Sequence, residues 1–78
     1  MPTIIRQDGF EVMIFTNDHR PAHVHVFRAE EEVVLTLVPV GIREDLRMSK
    51  RNVRKAIAIV SNNLGLLLRA WREIHSNE

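Results

Sequence analysis

Cysteine and tyrosine are absent from this chain, and its 78 residues hold only three glycines, three prolines, three phenylalanines and one tryptophan. Without cysteine there is no disulfide framework and no thiolate zinc site, and a reducing cytoplasm is the simplest compartment. No apolar run approaches the roughly 20 residues that span a bilayer, so no membrane partner is expected. Arg6 and Asp8 stand early in the chain, where a secretory signal would place a hydrophobic region. With a single tryptophan and no tyrosine there is no aromatic platform for stacking bases. Any contact with RNA would then run through backbone phosphates.

What is present describes one globular domain spanning residues 1–78. Apolar residues make up 45% of the chain and charged residues 27%, which is ordinary for a folded protein. So short a chain leaves much of its surface exposed, and a homodimer or a bound partner is the expected way to cover it. The net charge of +1 says little, but Arg43, Arg47, Lys50, Arg51, Arg54 and Lys55 crowd into thirteen positions against only Glu44 and Asp45. Glu30, Glu31 and Glu32 read as a solvated turn.

The first half has the alternation of strands. Thr3-Ile4-Ile5 and Phe10 to Phe15 flank Asp8-Gly9, a strong hairpin signal. His23 to Arg28 and Val33 to Val38 follow, and Pro39 with Gly41 is expected to end the last strand. In the second half Ser49 is the expected N-cap of a helix. At 100° per residue Val53, Ile57, Val60, Leu64, Leu67 and Trp71 fall on one stripe, in phase past Gly65. One long helix over about 49–75, bent near Gly65, is therefore predicted. The fold class is α+β: a four-stranded, mostly antiparallel sheet within residues 3–38, packed on one face by that helix. Its core face should carry Phe10, Val12, Ile14, Val24, Val26, Leu35 and Leu37. Off the stripe, Ile59 and Leu66 recur with Asn63 and Ala70 at helical spacing, either as isolated exposed residues or as a partner-binding strip.

The chemistry concentrates in Asn17-Asp18-His19-Arg20-Pro21-Ala22-His23-Val24-His25-Val26, which holds three of the four histidines. Imidazole serves proton transfer and metal ligation near neutral pH. In an extended strand His23 and His25 share the face opposite Val24 and Val26, so they should point away from the helix, near Met13 and Phe15. Three readings stay open. In the first, His19, His23 and His25 are acid–base groups for RNA cleavage without any metal cofactor. Asp18 then orients an imidazole, while Asn17, Arg20 and the basic residues Arg47, Lys50, Arg51 and Arg54 hold phosphate. In the second, His19, His23 and His25 bind zinc, within a non-enzymatic protein-binding module. In the third, the histidines only brace the turn at Pro21. The basic segment likewise reads as a solvated helix face or as a phosphate-binding surface. His75 reads as incidental.

The opening Met1-Pro2-Thr3-Ile4, then Asp8-Gly9-Phe10, the Asn17–Val26 run, Leu67-Leu68 and Ala70-Trp71 together resemble a small bacterial family, domain of unknown function 4160. The similarity covers essentially the whole chain and marks Asn17, Asp18, His19, Pro21, His23 and His25 as the signature. The resemblance implies the toxin of a type II toxin–antitoxin module, with a cognate antitoxin-like protein as partner. One departure is Glu30-Glu31-Glu32, where the family often has glycine at the hairpin.

Overall fold

A computed structural model describes residues 3–76, so Met1 and Pro2 of the opening motif lie outside it. Strand β1 (Thr3–Gln7) turns into β2 (Phe10–Met13) through Asp8 and Gly9, whose φ values of 53° and 81° suit a two-residue hairpin. Gly9 suits this position mainly through its backbone. Its backbone is left-handed, and a Cβ would strike the Arg28 guanidinium. That guanidinium donates to the Asp8 carbonyl at 2.9 Å and lies over the Phe10 ring.

Strands β3 (His23–Arg28), β4 (Glu31–Leu37) and β5 (Val40–Leu46) complete an antiparallel sheet whose spatial order is the chain order. The sheet therefore has five strands where four were expected. β4 ends ahead of Pro39 as expected, but Val38-Pro39 is a two-residue turn into a further strand, and Gly41 sits inside β5. Thr36 Oγ1 braces that turn by donating to the Pro39 carbonyl at 2.8 Å. β5 escapes the apolar pattern because it is an edge strand whose residues from Ile42 onwards are exposed. Its backbone pairing with β4 needs no buried side chain.

The helical half is also divided. Helix α1 (Lys50–Asn62) and helix α2 (Leu64–Ile74) meet at Asn63, not at Gly65. Asn63 leaves helical geometry and its side-chain amide donates to the Ile59 carbonyl at 2.7 Å, satisfying an acceptor freed by the break. Ser49 caps α1 as its sequence position predicts, its Oγ accepting from the Asn52 amide at 3.1 Å. Glu31 reinforces the cap, accepting from the Ser49 amide and the Asn52 side chain at 3.1 Å each. These hydrogen bonds, the Asn52 one foremost, hold its carboxyl below the ordinary value.

The core lies between the sheet and the two helices. All seven expected sheet residues are buried there, joined by Val33, Met48, Val53, Ala56, Val60, Leu67 and Trp71. Ile59 belongs to the same cluster at 5% exposure, which corrects its reading as part of a partner strip. Ile59 joins Phe10 of β2 in that cluster, so the buried arc of α1 is wider than the stripe. Leu66 remains 48% exposed.

Candidate functional site

The carboxylate at the centre of the site is set by a local turn. Asp18 donates its amide to the Phe15 carbonyl at 3.1 Å, and its Oδ2 accepts the Phe15 amide at 3.2 Å. This reciprocal pair fixes Asp18 above the sheet face opposite the core. On that face His25 sits in the row Met13–His25–Val34, and His23 lies opposite Thr36. Asp18 reaches both histidines. Its Oδ2 is 3.1 Å from His25 Nε2 and its Oδ1 is 3.4 Å from His23 Nε2.

The far edge of each imidazole is also occupied. His23 Nδ1 lies 2.8 Å from the Pro21 carbonyl, which can only accept, so Nδ1 carries the hydrogen. Arg43 Nη1 lies 3.1 Å from the same nitrogen, but a guanidinium can only donate. The two contacts exclude one another as hydrogen bonds, and the shorter one, to Pro21, sets the tautomer. His25 lies between two carboxylates, its Nδ1 3.2 Å from Glu32 Oε2 and its Nε2 3.1 Å from Asp18 Oδ2. Both Nε2 edges are thereby turned on the single Asp18 carboxylate. One ligand-type atom each from Asp18, His23 and His25 lies within 4.8 Å of the other two, a set that could hold a metal ion.

Aromatic packing fixes the rings. Phe15 meets His25 edge-on at 4.4 Å between centroids, and the two imidazoles are 5.4 Å apart. His23, only 4% exposed, also packs against Trp71 at 5.3 Å. The histidine pair is thus not clear of the helical layer as expected, because the end of α2 reaches His23. His75 packs on the same indole, its ring 3.9 Å from Trp71 and its Nδ1 donating to the Trp71 carbonyl at 2.9 Å, outside the Asp18–His23–His25 centre.

Above the centre is an open cavity of about 290 Å³, lined by Asn17, Asp18, His19, His23, His25, Val34, Arg43 and Glu44. His19 and Asn17 reach this rim, but His19 stands outside the converging triad. Arg20 lies elsewhere, bordering a recess with Trp71, Arg72 and His75. Lys50 and Arg54 border another recess with Ile42 and Ile57, while Arg47 and Arg51 are exposed and line neither. Of the basic cluster only Arg43 reaches the histidine cavity.

Glu32 is not read as part of the site in the sequence, whereas Arg43 is read there only as one of a cluster of phosphate-binding cations. Glu32 was placed in a solvated turn, yet only Ala29 and Glu30 turn the chain, and Glu32 pairs with Phe27 on the histidine face. The alternation Val33-Leu35-Leu37, read inward, already puts Glu32 on that outer face. Arg43 arrives on β5, the strand the pattern lacks.

No curated protein and no solved structure matches the chain. A family model described as a domain of unknown function (DUF4160) matches residues 9–72, a span that takes in Asp18, His23, His25, Glu32 and Arg43. On the strength of that match the chain belongs to the DUF4160 family.

Proposed function

We propose that the protein is the toxin of a type II toxin–antitoxin module, acting in the cytoplasm on RNA or the translation machinery through the Asp18–His23–His25 centre. The observation that carries this reading is the convergence of a carboxylate and two imidazoles on the floor of a cavity bordered by Arg43. Breaking a phosphodiester needs a basic group at the attacking oxygen, a proton for the leaving oxygen and a cation at the phosphate as charge builds. The centre supplies the first, His19 on the cavity rim the second and Arg43 the third, its guanidinium matching the non-bridging oxygens. His23 and His25 share one carboxylate. They therefore serve as one unit on one side of a bound phosphate, with Asn17 and His19 as rim contacts. The family resemblance in the sequence supports the toxin context.

A second reading, a non-enzymatic protein-binding module, is favoured by the edge of β5, where Ile42 and Leu46 are exposed beside unpaired strand backbone. An antitoxin-like partner would bind there by adding a strand. Expression in bacteria separates the two. The wild type should arrest growth and degrade RNA, and the His25→Ala variant should relieve both. Equal growth with intact RNA, for folded wild type free of partner, defeats the toxin reading and leaves the binding module.

A further inference from the structure

We propose that Asp18, His23 Nε2 and His25 Nε2 are the ligands of a divalent transition-metal ion of the zinc type, with Pro21 and Glu32 as the groups that orient the imidazoles. The Pro21 carbonyl takes the Nδ1–H of His23 and the Glu32 carboxylate faces Nδ1 of His25, so both Nε2 atoms are presented to Asp18. Two imidazole nitrogens and a carboxylate oxygen gathered in this way make a ligand set for one divalent cation.

The Asp18 contacts are 3.1 Å and 3.4 Å, and ligands about 2.0–2.1 Å from a tetrahedral zinc lie about 3.3 Å from one another. Nδ1–H donated to a carbonyl or carboxylate is also the usual way metal-binding histidines are held. Two imidazoles and a carboxylate suit zinc, manganese, iron or cobalt, and not the oxygen-only spheres of calcium or magnesium. All three ligands line the cavity that Arg43 borders, which leaves room for a water or an anionic oxygen beside them.

The site stands on this geometry alone; it deepens the toxin reading only by naming what would activate the attacking oxygen. Its test is metal uptake by tag-free protein, stripped with a chelator and titrated with Zn²⁺ by calorimetry, with Co²⁺ as a second, coloured probe. One Zn²⁺ per chain is expected. Asp18→Asn, which keeps the shape of the turn, should abolish uptake, and Glu32→Gln should weaken affinity by about 10–100-fold. Leu66→Asp should bind as the wild type does. Failure of stripped wild type to take up stoichiometric Zn²⁺ or Co²⁺, or full uptake by a folded Asp18→Asn variant, overturns the proposal. The two readings fail separately: RNA cleavage surviving the chelator removes the metal, whereas metal uptake without cleavage removes the nuclease.

Discussion

Asp18 does two jobs with one carboxylate, since the oxygen that accepts the Phe15 amide also faces His25. The jobs separate by substitution. Asp18→Asn keeps an oxygen for the Phe15 amide and removes the charge, whereas Asp18→Ala also leaves that amide without its side-chain acceptor. Urea denaturation should show Asp18→Ala less stable than Asp18→Asn by about 1–2 kcal/mol. Ala29 makes the opposite case. It occupies the β3–β4 turn with φ of 52°, a conformation that costs an L residue about 1–2 kcal/mol. Ala29→Gly removes that strain but adds freedom to the unfolded chain, and a net gain of about 0.5–1 kcal/mol is expected from the same measurement. A loss of stability there would show that the turn is not strained.

At the scale of the element, the junction of β4 and α1 rests on Glu31, which joins a strand to a helix cap through the Ser49 amide and the Asn52 side chain. Its carboxyl is held below the ordinary value of 4.5, chiefly by the Asn52 hydrogen bond. The folded state therefore binds this proton less readily than the unfolded chain. Its contribution is complete above pH 4.5 and is lost as pH falls through the lowered folded value. Glu31→Gln should thus lower the melting temperature at neutral pH, and the gap to wild type should narrow on acidification below pH 4.5. A gap independent of pH would assign the effect to the cap's shape alone. The strands, the Ser49 cap and the sheet's core face were legible in the sequence because each is a periodic or strongly local signal. β5 was not, since Arg43-Glu44-Asp45 has no buried alternation to report. Nor was the break at Asn63, because the stripe Val60-Leu64-Leu67-Trp71 keeps its phase across it. The convergence of Asp18 with His23 and His25 could be expected from alternation and the turn; the reach of Glu32 could not, because it depends on a hairpin of only two turn residues.

Across the whole molecule, the division of labour is one covered sheet face and one chemical face, with the helices wrapped further round the core than a single stripe implies. Ile59 and Leu66 test that wrapping as a pair. Ile59→Ala should cost about 2–5 kcal/mol as a core truncation. Leu66→Asp should stay within about 0.5 kcal/mol. Equal effects in thermal melts would restore the surface strip that burial of Ile59 removes. Among the described residues no helix is long and apolar enough to cross a membrane. The two faces are not sealed from each other, because Trp71, rooted in the core, also lies against His23. Trp71 is the chain's one tryptophan. The protein therefore carries its own optical gauge: its ultraviolet emission comes from a ring in van der Waals reach of the site, with no second indole to blur the signal. Whatever fills or empties the space around His23 can be followed by that light, in unlabelled protein and in real time.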